Sequence, residues 1–359
     1  MKRRTLLKLA GVSLLLPALP VLAGPTDERL VVVLLRGGLD GLAAVPPIGD
    51  PDYERIRGRL TLDDALDLDG FFGLHPALSE LMPLWKAGDL LPVHAVALPY
   101  RKRSHFDAQD LLETAGGLDG WLSRALVATA REGLALGSGL PRVLRGSAQV
   151  SSLDPDREVR EDDEVLELVQ QLYEKDPLLG PALEAGVRAQ LQLDTEPPKR
   201  RRRRRQDFPR IARIAAEILR DPVAPSALVI DTGGWDTHAR QSSRLKDLLA
   251  PLGSGLAALA EELGPMWSRT TVLVMTEFGR TAKPNGTQGT DHGTAGICLV
   301  LGGSIHGGRV IADWPGLDTL HDGRDLAPTT DLRSVIRGAL RASIGGDEIL
   351  SEVEPLRLT

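Results

Sequence analysis

The sequence predicts an α/β fold, a mostly parallel sheet with helices on both faces. Two observations carry this. Short continuous apolar runs of strand length recur along the chain, as strands buried on both faces require. Between them lie longer segments whose apolar residues repeat at helical spacing. A third feature bears on function. The polar clusters fall mainly just after an apolar run, where open α/β sheets gather ligands.

The elements follow in order. Leu30–Leu35 (LVVVLL) reads as a buried parallel strand running into Gly37-Gly38-Leu39-Asp40-Gly41. His75 to Trp85 has helical spacing, Leu91–Val96 reads as a second strand, and Ser104 to Ala115 as a helix with acids in its first turns. Val165, Leu166, Leu168, Val169 and Leu172 share one helical face, as do Phe208, Ile211, Ile214, Ala215 and Ile218. Ala227–Ile230 is a strand ending at Gly233-Gly234-Trp235-Asp236-Thr237-His238. A long leucine-bearing helix follows, with an interruption at Pro251. Val272–Met275 is a strand ending at Thr276-Glu277-Phe278-Gly279-Arg280-Thr281, and Ile297–Leu301 is a strand just after Thr290-Asp291-His292-Gly293. Thr329-Thr330-Asp331 opens a C-terminal helix.

Residues 1–23 have a basic head, a short apolar stretch and a small-residue end at Val21-Leu22-Ala23. This reads as a cleaved signal peptide, with no stable membrane span after cleavage; a retained anchor is the alternative. Arg3-Arg4 before Leu6-Leu7-Lys8 resembles a twin-arginine signal, which implies the twin-arginine export machinery as a partner and a periplasmic or secreted protein. The mature chain, 24–359, reads as one α/β domain with a charge-rich insertion at about 150–206.

Charge and composition exclude several classes. Cleavage removes Lys2, Arg3, Arg4 and Lys8 and no acids, so the formal charge moves from −6 to −10. The body is acidic apart from the block Lys199, Arg200–Arg205. Such blocks are usually solvated, and an acidic body does not track a phosphate backbone, so no nucleic-acid partner is expected. One cysteine, Cys298, excludes an internal disulfide and a four-cysteine zinc site. Aromatic content of 4% argues against a stacking platform for single strands.

Carboxylates and imidazoles at strand ends suit a divalent metal. Asp236 and His238, two apart, point the same way if the chain there is extended. Asp40, Glu277 and Asp291 add carboxylates, and His292 lies beside Gly293, where little blocks an approaching metal or anion. Each has a plainer explanation: Asp40 a turn, Asp236 a helix cap, Glu277 a solvated charge, His292 a ring pinned to a carbonyl, Ser104 an N-cap.

The stretches GGLDGL (37–42), FFGLHPAL (71–78), RSHFDAQDLLET (103–114), GGWDTH (233–238), TEFGRT (276–281), GTDHGT (289–294) and GGRVIADWPGL (307–317) resemble the exported DUF1501 family, over nearly all of the mature chain. The resemblance implies an alkaline phosphatase/sulfatase-like fold. It implies Asp40 as a metal-binding aspartate, Ser104 as nucleophile, Asp236 and His238 as paired ligands, and His292 as a late histidine ligand. Glu277-Phe278-Gly279 stands where that superfamily has Asp-His-Gly. Phe278 cannot bind a metal, so a single ion, zinc or manganese, is expected. The implied activity is hydrolysis of a small anionic phosphate or sulfate ester. Arg36, Arg103 or Arg280 would hold its oxygens, and His105 would shuttle protons. The alternative is a catalytically degenerate binding or assembly protein of the same fold. A DUF1800-family exported partner is also implied.

Overall fold

A computed structural model describes residues 27–155 and 207–359. The signal segment 1–23, the helical face at 165–172 and nearly all of the charge-rich insertion lie outside the described residues.

The architecture is the expected one. An eight-stranded sheet contains β1 (Arg29–Arg36), β4 (Leu90–Ala97), β5 (Gly133–Leu136), β6 (Val150–Leu153), β7 (Ala227–Gly233), β8 (Thr270–Met275), β9 (Gly296–Leu301) and β10 (Thr330–Asp331). Their order is β10-β4-β9-β8-β1-β7-β5-β6. A separate antiparallel pair, β2 (Leu66–Asp67) and β3 (Gly73–Leu74), lies outside it. Within the main sheet all pairings are parallel except those of β9, which runs against both β4 and β8.

Alternation along β1 explains the two-sided cover. Val31, Val33 and Leu35 pack into one apolar cluster with α6 (Phe208–Leu219) and α7 (Gln241–Leu263). Leu30, Val32 and Leu34 enter another with α5 (Trp121–Ala128) and α8 (Leu332–Arg341). A period of two thus feeds both faces, and each buried Val or Leu contributes roughly 1.5–3 kcal/mol. Helices α1 (Gly41–Ala44), α2 (Tyr53–Arg57), α3 (Met82–Ala87) and α4 (His105–Thr114) complete the numbering.

The structure departs from expectation at Pro251. Helix α7 runs through it without a break. Proline costs about 3 kcal/mol inside a helix. Leu248, Leu249, Leu252 and Leu256 flank it and are all buried, and their packing outweighs that cost.

Candidate metal centre

The direction of β9 assembles the site. Parallel strands deliver residues that follow them to the sheet's carboxyl edge. An antiparallel strand delivers residues that precede it to that same edge. Asp236 and His238 follow β7, Glu277 and Arg280 follow β8, and Asp291 and His292 precede β9. His105 is the first residue of α4, which follows β4. Close backbone approach at this edge needs glycine. Gly37, at φ +128°, would put a Cβ 2.4 Å from the Asp236 amide nitrogen. A Cβ on Gly293 would lie 2.3 Å from the Arg280 carbonyl carbon, so that glycine serves strand contact rather than open access to His292.

Three imidazoles converge on Asp236. Its Oδ1 lies 2.9 Å from His238 Nε2 and 3.3 Å from His292 Nε2. Its Oδ2 is 3.5 Å from His105 Nε2. The His238 and His292 Nε2 atoms are 3.0 Å apart. Each ring's other nitrogen has a fixed acceptor. His292 Nδ1 donates to the Arg103 carbonyl at 2.9 Å, His238 Nδ1 to Asp291 Oδ1 at 3.0 Å, and His105 Nδ1 to Glu277 Oε1 at 2.7 Å. With Nδ1 as the donor, a neutral ring at each of the three positions would turn its Nε2 lone pair toward one carboxylate. His105 Nε2 is buried and has no hydrogen-bond partner.

These residues fit a metal ion. Ligand atoms around tetrahedral zinc, with bonds of about 2.0–2.1 Å, sit roughly 3.3 Å apart. The Asp236, His238 and His292 spacings, 2.9, 3.0 and 3.3 Å, are close to one such face, two of them shorter. Ligand atoms of His105, Asp236 and His292 all lie within 4.8 Å of one another. Metal-bound histidines characteristically donate their second N–H to a carboxylate or carbonyl, as all three do.

Electrostatics support charged carboxylates around the rings. Burial pushes the Asp236 carboxyl up, but the Arg280 guanidinium, His238 and His292 outweigh it and hold it below its ordinary value. Glu277 is also lowered, burial being overcome by hydrogen bonds from His105, Gln109 and Gly37. The Asn285 amide and His238 lower Asp291. The Glu277 hydrogen bond raises His105, whereas burial lowers His292.

The expected site residues divide into groups. Asp236, His238, His292 and His105 meet. Asp291 and Glu277 stand behind rings and are not presented as ligands. Glu277 Oε1 already accepts from Gly37, His105 and Gln109, and Oε2 from Thr276. Asp40 is not among the converging side chains: its Oδ2 takes the buried Arg57 guanidinium and the Gln241 amide, each at 2.6 Å, and its Oδ1 is buried with no hydrogen-bond partner. Ser104 is the N-cap residue of α4, yet its hydroxyl makes no cap bond, and none to the cluster is found among the described residues.

The three arginines are committed to carboxylates rather than open to an anion. Arg36 pairs with Glu113 at 2.8 Å and Asp231 at 2.5 Å. Arg103 pairs with Asp322 and Asp325. Arg280 pairs with Asp236 at 2.6 Å and also donates to the Thr290 carbonyl. The Phe278 ring lies tilted against those of His105 and His292, with centroids 4.8 and 5.0 Å away. Arg57 and Gln109 were not legible as site neighbours. Gln109 had a signal, since it lies four residues after His105 on one helix face.

Next to the cluster is a cleft of about 810 Å³, lined by Arg36, Phe106, Gln109, Asp231, Trp235 and Leu248 among others. Helix α4 joins the two. His105, Gln109 and Glu113 recur every four residues, so one stripe runs from the cluster into the cleft.

The chain belongs to the DUF1501 family, described as a protein of unknown function, which it matches over residues 93–336. That segment contains all four converging side chains. No curated protein matches the chain. Among solved structures it is similar to a protein in the alkaline phosphatase superfamily from Vibrio parahaemolyticus. The identity is 12% and the TM-score 0.43, covering 99% of this chain and 79% of that one. It is similar to alkaline phosphatase from the Antarctic bacterium TAB5 at 10% identity and TM-score 0.37, covering 77% and 92%. It is also similar to PsFucS1 sulfatase from Pseudoalteromonas sp. at 14% identity and TM-score 0.37, covering 92% and 71%.

Proposed function

We propose that this chain is an exported, metal-dependent hydrolase of phosphate or sulfate esters, with one ion held by Asp236, His238 and His292 and approached by His105. The observation that carries the reading is the convergence of three Nε2 atoms on one carboxylate, each ring fixed from behind. A set rich in imidazole suits zinc, with manganese next. When bound, such an ion would polarise a phosphoryl or sulfuryl oxygen.

The chain's own residues have separable parts. Ser104 is the proposed nucleophile. It sits at the positive end of α4 with its hydroxyl unspent on capping. Glu277 orients His105, and Arg280 fixes Asp236. The cleft would take the ester's organic portion, since its volume lies in the range of sites for drug-sized ligands. Export by the twin-arginine route belongs to the same proposal. Among the described residues, no helix is long and apolar enough to cross a membrane.

Elemental analysis of the mature protein, wild type beside His292→Ala, tests the centre. We expect about one equivalent of zinc or manganese in the wild type, lost in the variant. Absence of metal from protein folded in the cell, with no uptake on addition, would sink the proposal. A second reading, a binding or assembly protein that keeps the metal, is favoured by one observation. Arg36, Arg103 and Arg280 are all taken by carboxylates, leaving none of them open for a substrate's anionic oxygens. Screening phosphate and sulfate esters with Ser104→Ala as control separates the two. Turnover that the variant loses supports the hydrolase; bound metal without turnover supports the binding protein.

A further inference from the structure

We infer that Asp325 is a positioning residue that fixes the ring and tautomer of His292 through Arg103 and Arg324. Asp325 is fully buried. Its Oδ2 accepts from Arg103 Nε at 3.0 Å, Arg103 Nη2 at 2.8 Å and Thr294 Oγ1 at 2.8 Å. Its Oδ1 accepts from Arg324 Nε at 3.0 Å.

Each of those donors belongs to a residue that grips His292 or adjoins it. The Arg103 carbonyl accepts the His292 Nδ1 proton. Arg324 Nη2 donates to the His292 carbonyl at 2.6 Å. Thr294 lies two residues beyond His292, at the start of the turn into β9. One buried carboxylate therefore ties together the ring's acceptor, the backbone's donor and the chain just downstream.

The tie at Arg103 holds an unfavourable backbone. Arg103 has φ +60°, a conformation that non-glycine residues adopt only when their surroundings impose it. The two hydrogen bonds to Asp325 Oδ2 and the further one to Asp322, at 2.7 Å, are such an imposition. Its consequence is chemical. A carbonyl oxygen only accepts, so it selects the Nδ1–H tautomer and leaves the Nε2 lone pair facing Asp236 and His238. If that carbonyl shifts, the ring can carry its proton on Nε2 and present it to the cluster instead of a lone pair.

The effect on metal affinity rests on the metal-centre reading; the effect on the tautomer does not. The test uses Asp325→Asn, with Arg103→Lys as the second variant if the first does not fold. Asp50→Asn is the structural comparator. Asp50 is also buried and accepts bonds from Trp314 and Leu317, neither of them in the Asp325 set. Zinc affinity is measured by chelator competition. The His292 tautomer is read from ring nitrogen chemical shifts in metal-free protein, assigned with His292→Gln.

We expect zinc binding to weaken by about 10–100-fold in Asp325→Asn, in line with other groups that orient ligands from behind. The His292 signal should move from one tautomer to a mixture. Asp50→Asn should lower the melting temperature and change neither readout. Unchanged zinc affinity with an unchanged tautomer overturns the inference, as does an equal loss in Asp50→Asn. If the wild type takes up no zinc, the metal reading fails and the tautomer alone decides the role of Asp325.

Discussion

His94 lies wholly inside the protein, where burial drives its pKa down to about 4. Its Nδ1 accepts from the Ala95 amide at 2.8 Å and its Nε2 faces the Val45 carbonyl at 3.0 Å, so the ring is held neutral. Phe72 stacks on it and Trp314 meets it edge-on. The linkage has a definite sign. A folded pKa below the unfolded 6.5 means the unfolded chain binds the extra proton first. Stability from this residue is whole above pH 6.5 and declines as pH falls toward 4. The full loss is roughly 3 kcal/mol. Urea denaturation at pH 7, 6 and 5 should show a wild-type decline that is shallower in His94→Gln; parallel profiles would contradict this. Residue chemistry of this kind was only half legible. The positions of Asp40, Glu277 and His292 at strand ends followed from the apolar runs. Their partners did not, because Arg57, His105 and Arg103 reach them from distant segments.

At the scale of elements, α7 shows packing prevailing over local preference. Its leucines form the stripe that the sequence spacing announces, and Pro251 sits within the stripe without ending it. Leu249→Ala, at a fully buried position, should cost about 2–5 kcal/mol in chemical denaturation. Metal content should stay at the wild-type level, since Leu249 is part of the core cluster and not of the centre. A loss below 1 kcal/mol, on the order of an exposed substitution, would mean that the helix does not bear on the core as described. The continuous apolar runs at β1, β4, β7, β8 and β9 were readable as strands buried on both faces. The short strands β5 and β6 were not. Gly133-Leu134-Ala135-Leu136 opens on a glycine and Val150-Ser151-Ser152-Leu153 holds two serines, so neither reads as a continuous apolar run; β5 pairs with β7, and β6 with β5.

For the whole molecule, the converging side chains couple binding to folding. They come from α4, the loop after β7 and the loop before β9, so they meet only in the folded sheet. An ion that binds the native chain alone stabilises it by mass action. Free zinc at about a hundred times its dissociation constant should add about 2.7 kcal/mol and raise the melting temperature by several degrees. His292→Ala should abolish the shift, which calorimetry with and without chelator measures directly. A melting temperature indifferent to zinc would place any binding outside the folded centre.

Strand β9 has a role in assembly that its six residues do not suggest. It lies between β8 and β4 and, among the described residues, is the only link within the sheet between the pair β10-β4 and the five strands from β8 to β6. A nascent chain that has not yet reached residue 296 also lacks β10, so it would hold the five strands from β8 to β6 with a raw edge of unpaired amides and carbonyls at β8, and β4 as an unpaired strand. His292 lies four residues before this strand, so docking it pairs the β8 edge with β4 and delivers the last imidazole in one event. The interval before that docking is the stretch of biosynthesis most exposed to self-association, and a chaperone that shields strand edges would have its greatest effect there.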